Sequence, residues 1–327
     1  MRATPVTFPA NDGSVLSGTA WEPAVRRAAV VLAGATAVPA RAYAALAEAL
    51  GGSGLAVLTF DYRGVGGSAS GRLRGDRTVM ADWGRLDLDA ALAWMLSRHP
   101  GQPLLLLGHS VGGQLLGLAP TAEALRGALL VGSQGGYWRN WSGLDRLRAW
   151  AGWHVVLPAA STVLGYTPMR ALGMGEDLPA GVGLQWARWG RHPDYLLSEC
   201  TPAERERYRR LGFPIRAYHF PDDPFAPRRA VEQLLGFYPG APTELVTRTA
   251  RELEATAVGH FGWLRPNFRE SLWRELASFL LERADAVSGR RPAGDLPAAV
   301  PGETGQRPGD SARRGARTGA SPLSVTP

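Results

Sequence analysis

The segment LLLLGHSVGGQLLGLAP, at residues 104–120, decides the fold and gives the first indication of chemistry. Its four consecutive leucines are typical of a strand buried in a parallel sheet, and apolar residues at helical spacing follow the glycines. Between them stands Ser110, the one serine of the sequence with glycine both two positions before it and two positions after it. In a sharp strand-to-helix turn such a serine is held in a strained conformation, and larger flanking residues would collide with the neighbouring strand and helix. The segment therefore predicts a nucleophile elbow with Ser110 at its tip.

Alternating strand and helix patterns extend outward from this segment. Continuous apolar runs are present at residues 28–35 and 127–134, and a third begins at residue 55. Helical patterns separate these runs, and residues 5–23 predict two strands joined by a turn at residues 11–13. Because parallel strands are joined by crossover helices, this order predicts an α/β fold, a mostly parallel twisted sheet with helices on both faces.

The alternation stops over residues 137–212, which show no pattern of a buried strand. This segment holds six of the eleven tryptophans: Trp138, Trp141, Trp150, Trp153, Trp186 and Trp189. Strand patterns resume at residues 214–220 and 243–250, before a final amphipathic helix. We therefore expect an α/β core over residues 1–136 and 213–286, with a helical, tryptophan-rich cap inserted between its two parts.

The C-terminal residues 287–327 are rich in Pro, Gly, Ser and Arg and poor in apolar residues. Because so few apolar groups cannot offset the entropy of ordering, we expect a disordered tail. No apolar run reaches the roughly 18 residues of a membrane-spanning helix, and the start of the sequence has no secretory signal pattern. The sequence thus predicts a cytoplasmic protein without stable membrane insertion, and it carries no signal for an oligomeric state.

Composition and spacing exclude several other function classes. The net charge is +7, but all basic residues are arginines that are spread along the chain among acidic residues, so we expect no nucleic-acid partner. Cys200 is the single cysteine, which excludes an intramolecular disulfide and a cysteine-rich zinc site. Residues 64–69 fit the glycine spacing of a dinucleotide fingerprint, but no helix pattern follows directly and the segment is not on the first strand. We therefore expect neither a cofactor nor a metal.

A serine nucleophile needs a base, and the base needs an orienting carboxylate. Of the six histidines, His260 stands in a glycine-flanked loop after the last predicted strand, where a base can reach the elbow. His109 adjoins the serine but is expected on the opposite side of the strand, in a structural or substrate-lining role. Asp222 and Asp223 follow the preceding strand, and only one of them can point at the imidazole.

These features resemble the α/β-hydrolase superfamily of serine hydrolases, in particular uncharacterised bacterial hydrolases similar to serine aminopeptidases and monoacylglycerol lipases. The likeness extends to about residue 285 and is carried by ANDGSVLSG, FDYRGVGGS, GHSVGG, DDPFAP and GHFG. It implies a catalytic triad in the order Ser, Asp, His, with Ser110 as nucleophile and His260 as base.

The resemblance also favours Asp223 over Asp222 as the acid of the triad. In relatives the acid is commonly followed four residues later by a proline that opens the next helix, and Pro227 stands at that distance from Asp223. Pro224 fixes the backbone directly after Asp223, which helps to hold a carboxylate in a loop. Asp222 is then expected to be a turn or cap residue that bonds to local amides.

An oxyanion hole formed by backbone amides is a further implication of the resemblance. One amide is expected from Val111 and the other from Ala35 or Thr36. Many relatives carry His-Gly after the third strand, whereas here Ala33 replaces the histidine and Gly34 remains. Because the hole uses backbone amides, we expect it to be retained.

The expected function is hydrolysis of an ester or amide bond through an acyl-enzyme. Because an insertion above the elbow forms its roof, the tryptophans predict an apolar small-molecule substrate. Three alternatives use the same fold: a non-catalytic ligand-binding protein, a thioesterase and a cofactor-free peroxidase.

Overall fold

The computed structural model describes residues 1–288, with only the backbone for Ser288. The described part contains ten strands: β1 (Arg2–Pro9), β2 (Val15–Glu22), β3 (Ala28–Ala33), β4 (Leu55–Phe60), β5 (Leu104–His109), β6 (Ala128–Val131), β7 (Tyr166–Thr167), β8 (Leu178–Pro179), β9 (Ile215–His219) and β10 (Thr243–Thr247). The same residues contain eleven α-helices: α1 (Ala44–Gly52), α2 (Met80–Asp82), α3 (Asp89–Arg98), α4 (Val111–Gln114), α5 (Gly143–Ala151), α6 (Leu157–Leu164), α7 (Ala180–Arg191), α8 (Pro202–Arg210), α9 (Arg228–Leu235), α10 (Gly259–Gly262) and α11 (Leu272–Ser288). Helix α2 continues into α3 through a π-helical segment (Trp83–Leu88), and α5 continues into α6 through another (Gly152–Val156).

Eight of these strands form one sheet, in the order β1-β2-β4-β3-β5-β6-β9-β10. The pairs β1–β2 and β2–β4 are antiparallel, and the other five pairs are parallel. The predicted fold class, a mostly parallel sheet within an α/β fold, is therefore confirmed. Because β3, β5, β6 and β9 run in the same direction, the loops that follow them meet at one edge of the sheet.

Both faces of the sheet are buried, which explains the continuous apolar runs of the sequence. In β5, Leu104 and Leu106 belong to a core that includes residues of α3. Leu105 and Leu107 belong to a second core that includes residues of α1 and α11. A strand that is covered by helices on both sides has no polar face, and its sequence therefore lacks alternation.

The tryptophan-rich segment is mainly helical and contains α5 to α8. It also holds a short antiparallel ribbon of β7 and β8, which the sequence does not predict because two-residue strands are too short to give a periodic pattern. The tryptophans differ in burial: Trp189 in α7 is 1% exposed, whereas Trp150 in α5 is 39% exposed. No residue of α5 is buried.

Helix α11 extends to Ser288, two residues into the segment that the sequence predicts to be a disordered tail. The rest of that segment lies outside the described residues. Within residues 1–288, no helix is both long and apolar enough to span a bilayer. The cytoplasmic location stays a prediction.

Candidate active site

Ser110 lies at the tip of the turn between β5 and α4, with φ of 53° and ψ of −117°. A positive φ is strained for serine, and the Ser110 N–H donates to the carbonyl of Val131 at 3.0 Å. A Cβ at Gly108 would lie 2.6 Å from the backbone of α4, and one at Gly112 would lie 2.1 Å from the carbonyl oxygen of Ala33. The two glycines are therefore required by the close approach of β5, α4 and β3, as the sequence predicts.

His260, in the short helix α10 after β10, and Asp223, in the loop after β9, form a buried pair. His260 Nδ1 lies 2.7 Å from Asp223 Oδ2, and the two side chains are 5% and 0% exposed. The second carboxylate oxygen accepts hydrogen bonds from the backbone N–H groups of Phe225 (2.8 Å) and Ala226 (3.1 Å). An ionised carboxylate can only accept hydrogen bonds, so Nδ1 of His260 is the donor in this pair. The neutral ring then has its lone pair on Nε2, which is available to accept a proton.

The strand order brings Ser110 to the same edge as this pair. The ring of His109, the residue before Ser110, has its centroid 5.0 Å from that of His260. Gly132 directly follows β6, the strand between β5 and β9 in the sheet. A Cβ at Gly132 would lie 3.2 Å from Asp223 Oδ2 and 3.2 Å from His260 Nδ1. Among the described residues the Ser110 hydroxyl has no hydrogen-bonding partner, so the hydroxyl is free to engage a substrate or a base.

Asp222 has a role that the sequence does not predict. Its carboxylate accepts hydrogen bonds from the N–H groups of Val258 (2.7 Å) and Gly259 (3.2 Å), the two residues that precede His260. The expectation of a local turn or cap contact is therefore wrong, because the contact spans 36 residues along the chain. The adjacent aspartates thus make different contacts. Asp223 bonds to the imidazole of His260, and Asp222 bonds to the backbone directly before His260.

The loop after β3 corrects one expectation for the oxyanion hole. The N–H of Ala35 donates to the hydroxyl oxygen of Tyr43 at 2.8 Å and is therefore not free to bind a developing oxyanion. Thr36 follows it, is 7% exposed, and has a side-chain hydroxyl without a hydrogen-bonding partner among the described residues. Of the two alternatives that the sequence leaves open, the geometry favours Thr36.

The tryptophan-rich segment contacts three elements around the candidate site. The Glu176 N–H donates to the carbonyl of Ala37, in the loop after β3, at 2.8 Å. The Tyr195 hydroxyl donates to Gln114 Oε1 at 2.9 Å, at the end of the elbow helix α4. Trp141 Nε1 donates to the carbonyl of Pro224, directly after Asp223, at 2.8 Å. The segment therefore lies against the edge of the sheet where the site is located.

A family model and several solved structures are similar to this chain. The model described as "Serine aminopeptidase, S33" matches residues 24–163, which include β3, β4 and the elbow. The chain has the α/β-hydrolase fold, and its residues 24–163 are similar to the serine aminopeptidase family. No curated protein matches the chain.

Three solved α/β hydrolases illustrate the fold. The esterase domain of a Rhodothermus marinus protein is 20% identical, has a TM-score of 0.55, and aligns over 86% of this chain and 99% of its own. The bacterial brefeldin A esterase is 17% identical, with a TM-score of 0.57 and coverage of 87% and 78%. The Paleococcus ferrophilus monoacylglycerol lipase is 16% identical, with a TM-score of 0.52 and coverage of 86% and 100%. These similarities show that the chain has the α/β-hydrolase fold.

In this fold, Gly132 is a position where any side chain should disturb the Asp223–His260 pair. Gly132→Ala is expected to lower kcat by roughly 10- to 100-fold, because the new methyl group would displace the imidazole or the carboxylate. Its φ of 57° adds strain of about 1–2 kcal/mol. Gly143→Ala is the matched control, since Gly143 has φ of 50° and no atom within 4 Å of the added Cβ. Steady-state kinetics and urea unfolding of both variants test this, and equal kcat losses would contradict it.

His109 should make the stability of the protein depend on pH. Burial, with a smaller contribution from His260, holds the pKa of His109 well below 6.5, so the folded chain keeps this ring neutral. The unfolded chain binds a proton below about pH 6.5. The free energy of unfolding should therefore fall as the pH falls from 6.5 to 5, by up to about 1.4 kcal/mol per pH unit. Urea unfolding of His109→Gln should show a smaller dependence than the unmodified chain, and parallel curves would refute the assignment.

Proposed function

We propose that the protein is a serine hydrolase that cleaves an ester or amide bond through an acyl-enzyme intermediate. The observation that carries the proposal is the buried 2.7 Å contact between His260 Nδ1 and Asp223 Oδ2, beside a serine held at φ of 53° in a strand-to-helix turn. An oriented imidazole near a serine at the tip of a strand-to-helix turn is the arrangement that nucleophilic catalysis requires.

In the proposed first step, the Ser110 hydroxyl attacks the substrate carbonyl carbon while His260 Nε2 takes its proton. The tetrahedral intermediate collapses, the bond to the alcohol or amine breaks, and the imidazolium returns the proton to that leaving group. In the second step, His260 removes a proton from water as the water attacks the acyl group on Ser110. The acid leaves, and the proton returns to the serine. The Asp223 carboxylate stabilises the imidazolium in both steps.

The proposed oxyanion hole consists of the N–H groups of Val111 and Thr36. Val111 is the first residue of α4, where backbone N–H groups have no partner within the helix. Thr36 lies in the loop after β3, next to an amide that Tyr43 already engages. Donors that are fixed before the reaction stabilise the developing negative charge without a cost of reorientation.

We propose an apolar substrate because two aromatic rings flank the base and are partly accessible. The centroid of the Phe261 ring lies 4.8 Å from that of His260, and the centroid of the Phe225 ring lies 5.2 Å from it. These phenylalanines are 38% and 37% exposed, although most large apolar side chains nearby are buried. Accessible rings beside the group that protonates the leaving group favour an apolar alcohol or acyl substituent. Residues 137–212 are proposed to act as the cap over this site.

Labelling and a substrate panel test the proposed function. A fluorophosphonate probe should modify the chain, and mass spectrometry of the peptides should locate the modification at Ser110. Medium-chain p-nitrophenyl esters should be hydrolysed faster than p-nitrophenyl acetate or charged short-chain esters. No labelling and no turnover would indicate a ligand-binding protein instead, and faster turnover of short charged esters would exclude the apolar substrate. Acyl thioesters and aminoacyl amides in the same panel determine which bond is preferred.

A further inference from the structure

A continuous chain of buried hydrogen bonds connects the oxyanion loop to the loop of the base. The Ala35 N–H donates to the Tyr43 hydroxyl oxygen at 2.8 Å, and the Tyr43 oxygen lies 2.8 Å from His109 Nδ1. His109 Nε2 lies 2.9 Å from the backbone carbonyl oxygen of His260. Tyr43 is 1% exposed and His109 is 0% exposed, so water does not compete for these bonds.

The geometry fixes the direction of each hydrogen bond. A carbonyl oxygen can only accept, so His109 Nε2 carries the proton and donates a hydrogen bond to the backbone carbonyl oxygen of His260. The neutral ring then has a lone pair on Nδ1, which accepts from the Tyr43 hydroxyl. The Tyr43 oxygen in turn uses a lone pair for the Ala35 N–H. Trp263 Nε1 adds a second donor to the His260 carbonyl at 3.1 Å, closer than its 3.4 Å approach to His109 Nε2.

We propose that Tyr43 and His109 are positioning residues of the active site. Tyr43 contacts the loop that carries the oxyanion donor, His109 contacts the backbone of the base, and His109 is the neighbour of Ser110 in the chain. The Tyr43 bond sets the orientation of the Ala35 amide and therefore of the next peptide group, whose N–H belongs to Thr36. The His109 bond sets the backbone of His260. The oxyanion donor and the base are thus held in register with the nucleophile by one side-chain pair.

This proposal rests on the proposed function, but it can fail separately. The test compares Tyr43→Phe with Tyr62→Phe in the full-length chain. Both tyrosines are buried, and the Tyr62 hydroxyl has no hydrogen-bonding partner among the described residues, so Tyr62→Phe is a matched control. Tyr43→Phe should lower kcat by roughly 10- to 100-fold on a p-nitrophenyl ester with KM changed less than about threefold. Tyr62→Phe should leave both constants within about twofold of the unmodified chain.

A boronic acid provides a readout of the oxyanion hole that does not depend on turnover. Its tetrahedral adduct with Ser110 places an oxygen in the oxyanion hole, so its affinity for Tyr43→Phe should fall in parallel with kcat/KM. If Tyr43→Phe does not fold, His109→Gln takes its place, with the same expected loss of kcat. A Tyr43→Phe variant with kcat within about twofold of the unmodified chain would overturn the proposal, as would equal losses in both tyrosine variants. Absence of fluorophosphonate labelling in the unmodified chain would instead refute the proposed function.

Discussion

Ser110→Ala is expected to lower kcat for p-nitrophenyl ester hydrolysis by at least about 10⁴-fold. The substitution removes the oxygen that forms the acyl-enzyme, and nothing among the described residues can replace it at the tip of the elbow. KM should change little, because the serine methylene group and the surrounding pocket are retained. Fluorophosphonate labelling should be lost in the same variant.

Folding of Ser110→Ala should be nearly unaffected. The hydroxyl has no hydrogen-bonding partner among the described residues, and alanine is strained at φ of 53° to about the same degree as serine. We expect the free energy of unfolding to change by less than about 1 kcal/mol. Ser161→Ala is the control for activity, because Ser161 is buried in α6, away from the elbow, and its hydroxyl bonds to Thr167. Substantial hydrolysis by purified Ser110→Ala would contradict the serine mechanism.

The features that could be predicted from the sequence are those with a local signature. The elbow at Ser110 combines a strand pattern, a helix pattern and two glycines within a few residues, and each glycine is required by a close backbone approach. His260 and Asp223 were predicted from their positions after strands and, for Asp223, from the spacing to Pro227. The structure brings His260 and Asp223 into contact, whereas the Ser110 hydroxyl remains unbonded.

The features that could not be predicted depend on contacts between distant residues. Tyr43 lies in a helix pattern of the sequence that gives no sign of a polar contact, and its bond to His109 spans 66 residues. In the same network the Ala35 N–H donates to the Tyr43 hydroxyl. Because this contact is not visible in the sequence, the sequence could not decide whether Ala35 or Thr36 supplies the oxyanion donor. Gly132 carries a weak signal, a glycine directly after a buried strand, but its contact with His260 depends on the order of β6 and β9 in the sheet.

Asp223→Asn should mainly lower activity, whereas Asp222→Asn should mainly lower stability. Asp223→Asn keeps an oxygen acceptor for the amides of Phe225 and Ala226, so the loop should keep its conformation. It removes the negative charge beside His260, however, and an amide N–H in place of Oδ2 would donate to Nδ1 and so favour the tautomer in which Nε2 carries the proton and cannot accept one. Because the base then has the wrong tautomer, kcat should fall by roughly 10³- to 10⁴-fold, with a small change in the free energy of unfolding.

Asp222→Asn should lower stability more than it lowers catalysis. The amide can accept from only one of the two N–H groups, Val258 or Gly259, that the carboxylate now holds, and a hydrogen bond to a charged group stabilises more than one to a neutral group. We expect a loss of about 1–2 kcal/mol in the free energy of unfolding. We expect kcat to fall by no more than about tenfold, because Asp223 still orients the imidazole. Steady-state kinetics and urea unfolding of the two variants decide the assignment. A larger kcat loss for Asp222→Asn than for Asp223→Asn would show that the carboxylate in contact with His260 is not the one that supports catalysis.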